Sequence, residues 1–229
     1  MSLITVGTMA FDAIETPFGK TDRIVGGSAT YVAYAASNFV KPVKQISIIG
    51  NDFPNEELSD LRARGIELDG VEIVPDKPSF FWKGRYHEDM NSRDTLVTDL
   101  NVLADFDPKV PESYQGAEFL MLGNLLPKLQ LNVIQELRKR PRFIAMDTMN
   151  FWMETAMADL KVVLKYVDML MVNDSEARQL WSIFIGKSGS FHYGDGTKIF
   201  DYQKGGTWCF AIPWRSSFLC TCSTARRCF

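Results

Sequence analysis

Residues 1–180 contain no cysteine; all four, Cys209, Cys220, Cys222 and Cys228, lie in the last 21 residues. That excludes a disulfide-stapled secreted scaffold for the body of the chain. No apolar run approaches the roughly 20 residues needed to span a bilayer. The amino terminus, MSLITVGTMAFD, lacks a basic n-region and reads as a first strand, not as a signal peptide. Neither sign of charge dominates: 25 Lys+Arg against 28 Asp+Glu leave −3, which gives no reason to expect nucleic acid or a membrane surface as a partner. Internal repeats and low-complexity linkers are also missing. These absences point to a cytoplasmic protein. With 46% hydrophobic and 23% charged residues over 229 positions, one domain with a good core and a small appendage is expected.

What is present is an alternation of apolar runs and helical patterns. Leu3–Thr8 reads as a buried strand, and Glu15–Val25 as a hairpin standing away from the sheet. Gly26–Phe39, GGSATYVAYAASNF, ends an extended segment with two glycines and starts a helix of small residues, with Ser28 in the N-cap position. That stretch suits a tight strand-to-helix turn. It equally suits a site where free helix amides meet an oxygen-rich ligand. Val43–Gly50 is a second buried strand. Pro54 starts a helix as its first residue, and Gly65 stops it. Strands at Phe119–Gly123, Arg142–Met146 and Val167–Val172 follow, with helices at Pro127–Arg138 and Trp152–Lys165 and another opening at Asp174–Leu180. Val71–Thr98 interrupts the alternation with two or three strands that join the first hairpin as a small β-lid. Its Phe80, Phe81, Trp82 and Tyr86 could stack a nucleoside base, but a homodimer surface is the favoured expectation.

Polar residues gather where strands end and helices begin: Asp12, Gly26-Gly27, Asn51-Asp52, Asp147, Asn150, Asn173 and Glu176. Ligands of open α/β sheets bind at the carboxyl ends of strands, so one edge of the sheet is the expected cleft. A single Asp or Asn there is an ordinary cap. Six or seven on one edge are harder to explain as caps alone.

These segments resemble the ribokinase-like (PfkB) carbohydrate kinase family. The resemblance runs through VGTMAFD, GGSATYVAYAA, IIGNDFP, DTMNFW and VNDSEARQL, covering essentially all of residues 1–180. GGSATYVAYAA is similar to the family's first signature, and NDSE to its Asn-x-x-Glu motif. The implied fold is α/β, a mainly parallel sheet sandwiched by helices, with a small β-lid at about 13–26 and 71–99. The implied activity is phosphoryl transfer from ATP, with Mg²⁺, to a hydroxyl of a sugar or nucleoside. Carried over, Asp12 accepts hydrogen bonds from substrate hydroxyls, and Gly26-Gly27 form the lid hinge and a substrate contact. Asn173 and Glu176 help to hold Mg²⁺ and phosphate oxygens, the Glu through water. Arg93, on a lid strand, is a further substrate candidate, with Asn51, Asp147 and Asn150 behind it. Tyr31 stands where the family often has Asn, which alters the sugar contact at that point.

The family's second signature, Gly-Ala-Gly-Asp at a helix N-terminus, supplies an anion hole and the base that takes the hydroxyl proton. Residues 181–229 contain no match to it. They also carry +4 against −7 for the body, together with every cysteine. CTCSTARRC lacks the paired C-x₂-C of structural zinc sites, GKSGS at Gly186–Ser190 lacks the frame of a phosphate loop, and GDG at Gly194–Gly196 lacks a following helix. The expectation is therefore no metal at the cysteines, a surface His87, and a tail, with His192 in it, that is truncated or frameshifted after Leu180. Reading one base later through permitted codons for Trp181–Phe229 allows a continuation with a small-residue helix and further strands, as the family would have. Sequencing the encoding DNA is expected to show an open alternative frame running into Gly-Ala-Gly-Asp; an early stop in that frame refutes the frameshift.

Overall fold

The computed structural model describes residues 1–90, 92–173, 176, 177, 179 and 180, and the backbone of 191–193, 197–199 and 208–211. The chain begins with β1 (Leu3–Val6), then β2 (Ala10–Thr16), β3 (Gly19–Lys20), β4 (Ile24–Gly26), α1 (Ser28–Ala36), β5 (Val43–Gly50), α2 (Asn55–Ala63) and β6 (Ile66–Val74). It continues through β7 (Phe80–Tyr86), β8 (Arg93–Asp99), β9 (Phe119–Leu122), α3 (Pro127–Glu136), β10 (Phe143–Asp147), α4 (Asn150–Thr155), α5 (Met157–Val163) and β11 (Met169–Asn173). The short strands β12 (Phe191–Tyr193), β13 (Thr197–Ile199) and β14 (Trp208–Ala211) complete the order.

One sheet runs β14-β11-β10-β9-β1-β5-β6. The pairs between β11 and β6 are all parallel, and the backbone of β14 joins β11 antiparallel. β5 is buried along almost its whole length, as a strand covered on both faces must be. Alternate residues serve two cores. Ile4, Val6, Ile46, Ile48, Leu120, Leu122, Ile144 and Met146 pack with Val133 of α3 and Leu160 and Val163 of α5. Val43, Ile49 and Ile66 pack with Ala33 of α1 and Leu58 and Leu61 of α2 on the opposite face. Strand order reverses at β1: β5 and β6 extend one way, β9, β10 and β11 the other. Such a reversal opens a crevice between the carboxyl ends of the two central strands, here β1 and β9.

The second sheet, β3-β2-β7-β8 with β4 also on β2, is the lid. Its extent sharpens the expectation. Of the strands between 71 and 98, β7 and β8 join the lid, whereas β6 forms the edge of the main sheet beside β5. Two cap positions also differ. Gly27, not Ser28, is the N-cap of α1, and Pro54, expected as the first helical residue of α2, is its N-cap, the helix starting at Asn55. The helix expected over Trp152–Lys165 divides into α4 and α5 at Ala156, whose φ of −136° leaves the helical region. Beyond Leu180 only the backbone of β12–β14 is described, so the expectations for the cysteine and His192 side chains, for Gly186–Ser190, for Gly194–Gly196 and for the frameshift lie outside the described residues.

The crossing between the two sheets is held by one buried hydroxyl. Ser47 of β5 donates from Oγ to the Gly7 carbonyl at 2.7 Å and accepts the Met9 N–H at 3.0 Å. It thereby sets where the chain leaves β1 and enters the lid. Removing the hydroxyl strands a donor and an acceptor away from water, which costs about 1–3 kcal/mol. Ser47→Ala is expected to lower the unfolding free energy by that amount in urea denaturation, while Ser59→Ala, on an exposed helix face, stays within about 0.5 kcal/mol.

Candidate active site

Two glycines and a carboxylate form the first group. Gly26 ends β4 opposite Ala10, and a Cβ there would lie 2.0 Å from Asp12 Oδ2. Gly27 has a φ of +96°, and a Cβ on it would lie 2.3 Å from the Thr8 carbonyl oxygen. Neither position admits another residue without displacing backbone or Asp12. The Gly27 N–H donates to the Asp12 carboxylate, while burial, the larger effect, raises the Asp12 pKa above the usual aspartate value. Tyr31, on the first turn of α1, is 54% exposed. Its hydroxyl is pushed up by burial and then by the charges of Asp12 and Tyr86. The glycine pair and Asp12, distant in sequence by fourteen residues, are thus in contact where β2 and β4 pair.

The amino end of α1 departs from that reading. Its first amides are already engaged: Ser28 N–H donates to Thr8 Oγ1 at 3.1 Å and Ala29 N–H to the Thr8 carbonyl at 3.0 Å. Ser28 Oγ in turn accepts the Thr8 N–H at 3.3 Å and sits between Gly7 and Gly123, where Cβ atoms would come within 2.4 and 2.7 Å of it. Ser28 and Ala29 are thus bound to β1's exit and are not free anion donors. The carboxylate beside them is Asp12.

A second group stands across the crevice, where β10 and β11 end. Asp147 is held by the Asn124 N–H, but burial and then the charge of Glu176 push its pKa up to about 7. Asn173 and Glu176 bond reciprocally, Asn173 N–H to Glu176 Oε2 at 2.9 Å and Glu176 N–H to Asn173 Oδ1 at 2.9 Å. That exchange orients the glutamate at the strand end. The buried Thr148 Oγ1 has no hydrogen-bond partner. Asn150 is exposed at the start of α4. Among the described residues no cluster of three or more His, Cys, Asp or Glu side chains forms a metal cage. Two neighbouring carboxylates with an amide oxygen are nevertheless the hard donor set that suits Mg²⁺ with several retained waters, and their mutual repulsion is what such a cation offsets.

Asn51 and Asp52 belong to neither group. They anchor the roots of the lid. Asn51 Nδ2 donates to the Pro75 carbonyl at 2.9 Å, and Asp52 Oδ1 accepts the Ser79 N–H at 2.8 Å just before β7. The other Asp52 oxygen pairs with Arg23 from the β3–β4 turn, whose guanidinium lies 3.7 Å above the Phe11 ring. These donors outweigh desolvation and hold the Asp52 carboxyl below the usual range. Arg93 opens β8, exposed, with its guanidinium 6.0 Å from the Trp82 ring centroid. His87 is exposed and paired with Asp94 at 3.0 Å, a surface histidine as expected. The residues that sequence reasoning missed are Thr8, Ser47 and Asn124. Their signal is only a polar side chain within a strand or at its end.

Residues 3–190 match the profile of the pfkB family carbohydrate kinases. The cytidine kinase of Thermococcus kodakarensis is 30% identical over 139 residues, 60% of this chain and 49% of that protein. The chain thus spans about half the length of that curated relative. The crystal structure of ribokinase from Cryptococcus neoformans var. grubii, in complex with ADP, superposes with a TM-score of 0.61 at 18% identity, over 82% of this chain and 61% of that one. The nucleoside kinase of Burkholderia thailandensis, in complex with inosine, gives 0.65 at 19%, over 80% and 64%. At these identities the two structures establish the fold alone, a ribokinase-like α/β sheet.

The Asp147 pKa has a measurable consequence. A carboxyl that is harder to ionise in the fold keeps its proton after the unfolded chain has lost its own, so its favourable contribution is full below about pH 4 and is lost as pH rises towards 7. Asp147→Asn removes that dependence. The melting temperature of the unmodified chain is expected to fall further between pH 5 and pH 8 than that of Asp147→Asn, as read by calorimetry.

Proposed function

For this chain, which belongs to the pfkB family of carbohydrate kinases, we propose ATP-dependent phosphoryl transfer to a hydroxyl of a sugar or nucleoside as the function for which its site is built. The observation that carries the reading is the pair of polar groups on either side of the strand-order reversal: Asp12 with Gly26-Gly27 on the lid side, Asp147 with Asn173 and Glu176 at the strand ends. The first group binds and orients the acceptor. Asp12 accepts from substrate hydroxyls, Gly26 and Gly27 leave room for them, and the lid excludes water. The second group would hold Mg²⁺, which when bound supplies charge neutralisation for the phosphate oxygens of ATP. Phosphoryl transfer depends chiefly on such positioning and on charge stabilisation. The cytidine kinase relative makes cytidine the first acceptor to test.

The catalytic base and the anion hole belong to the Gly-Ala-Gly-Asp segment that residues 181–229 do not contain. These 229 residues are therefore expected to bind acceptor without turning it over. A non-catalytic sugar- or nucleoside-binding protein is the second reading, favoured by that same absence beside an intact Asp12 group.

An ADP-release assay with Mg²⁺ and ATP, across a panel of sugars and nucleosides, separates the two readings. This chain is expected to give no release above the no-acceptor control. A chain continued in the alternative reading frame is expected to give Mg²⁺-dependent release with at least one acceptor. Mg²⁺-dependent turnover by the present chain overturns its assignment as inactive, and no turnover by the continued chain favours the binding protein.

A further inference from the structure

The strand ends that carry Asp147 are held from beneath by one side chain of α3. The pairing of β9 with β10 ends at Leu122 and Met146. On the next residues, one nitrogen binds both carbonyls: Gln130 Nε2 donates to the Gly123 carbonyl at 2.8 Å and to the Asp147 carbonyl at 3.1 Å. A side-chain amide thus takes over where the strand pairing stops and fixes the spacing of the two ends. Both amide hydrogens are used, the full donor capacity of a glutamine. Gln130 is fully buried, and its Oε1 bonds to no protein group, so the whole hydrogen bonding of the side chain goes to these two carbonyls.

What the amide holds is the backbone of the carboxylate site. Ile144 and Met146 pack with Val133 of α3, so Asp147, one residue on, leaves the sheet on the opposite face. There its carboxylate accepts the Asn124 N–H. The Gly123 carbonyl and the Asn124 N–H belong to one planar peptide unit and point in opposite directions. Gripping that carbonyl from the α3 side therefore aims the N–H at Asp147, while the second bond grips the Asp147 backbone itself. Asn124 is fixed at its other end too, where its Oδ1 accepts Trp152 Nε1–H at 2.8 Å. Gln130, the Gly123–Asn124 peptide and Asp147 close into one ring of contacts.

We propose that Gln130 is a positioning residue for the cation-binding half of the site, setting the Asp147 carboxylate by holding the two peptides that fix it. The proposal rests on the reading above that Asp147, Asn173 and Glu176 are the groups that would hold Mg²⁺. Gln130 itself touches neither cation nor substrate; it acts through Asp147 and Asn124.

The experiment reads metal binding and amide exchange, so it needs no turnover. The full chain is titrated with Mn²⁺, a paramagnetic stand-in for Mg²⁺ that takes the same oxygen donors, and followed by electron paramagnetic resonance. Gln130→Met, similar in length but without a donor, is expected to weaken Mn²⁺ binding roughly tenfold, as removal of a group that orients a ligating carboxylate does. Val133→Ala, in the same helix, empties core volume without removing a polar contact, and is expected to leave Mn²⁺ affinity within about twofold. Relative to the amides within β9, the Asn124 N–H is expected to exchange roughly tenfold faster in Gln130→Met and at an unchanged rate in Val133→Ala. Gln130→Asn draws the amide back by one methylene and is expected to behave as Gln130→Met; it carries the test if Gln130→Met gives no cooperative melt. Mn²⁺ affinity in the Gln130 variants no weaker than in Val133→Ala overturns the inference and leaves the cation site standing. Failure of both Gln130 variants to fold also overturns it, assigning Gln130 to the fold. No Mn²⁺ binding by the unmodified chain, or binding that Glu176→Gln leaves unchanged, overturns the cation half of the site and the inference with it.

Discussion

The site depends on how the chain crosses between its two sheets. β1 ends at Val6, and within four residues the backbone has entered the lid at Ala10. Ser47 holds both ends of that crossing from β5, while Thr8 in the middle holds the amino end of α1 through two backbone donors. The return path meets it at the same place, where Gly27 passes over the Thr8 carbonyl with no room for a side chain. Two passages of the chain are thus closed against each other within a few ångströms. Asp12, four residues past Thr8 on β2, is carried over the crevice as a consequence. Buried hydrogen bonds of this type contribute little net energy when made and cost much more when one partner is lost, so the crossing is specified sharply.

The lid has a second set of roots on the same edge. Asp52 binds both the β3–β4 turn, through Arg23, and the start of β7, through Ser79. Asn101, past the end of β8, donates to the Ser79 carbonyl at 2.9 Å. The lid is therefore anchored at three points along one side of the crevice, and the opposite side is left to Asp147, Asn173 and Glu176. The electrostatics of the two sides are opposed. Asp52 is surrounded by donors and keeps its charge easily, whereas Asp147, buried and then faced by the Glu176 carboxylate, resists ionisation. Carboxyls set in contrasting environments usually have different tasks, and that of Asp52 is to anchor the lid.

Much of this was legible beforehand because it rests on local chemistry. The run VKQISIIG, β-branched at four of eight positions and closed by a glycine, reads as a buried strand, and β5 occupies Val43–Gly50. The glycine pair announced a close backbone approach, and Asp12 with Thr8 is what approaches. Three readings missed for reasons beyond a single segment. Ser28 looks like an N-cap by residue type, but Thr8, twenty residues earlier, already supplies the bonds, so the turn starts one residue sooner. Asn51 and Asp52 look like site residues because they follow a strand at the cleft edge. Only the path of 75–79 past them shows that their partners are lid backbone. β6 looks like part of the lid because polar residues interrupt it, although its partner is β5.

The amino-acid sequence by itself determined the alternation of elements, the parallel sheet, the family, and the residue types available to bind hydroxyls and a cation. Those properties follow from hydrophobic period, turn chemistry and short motifs, all of which act over a few neighbouring residues. Only the tertiary structure decided which polar residues share a site. Asp12 meets Gly26, fourteen positions later, because β2 and β4 are paired, and Asp147 meets Glu176 because β10 and β11 are paired. Register and strand order are collective properties of the packed sheets. One residue of slip in β2 would turn Asp12 to the opposite face of the lid and away from the glycine pair.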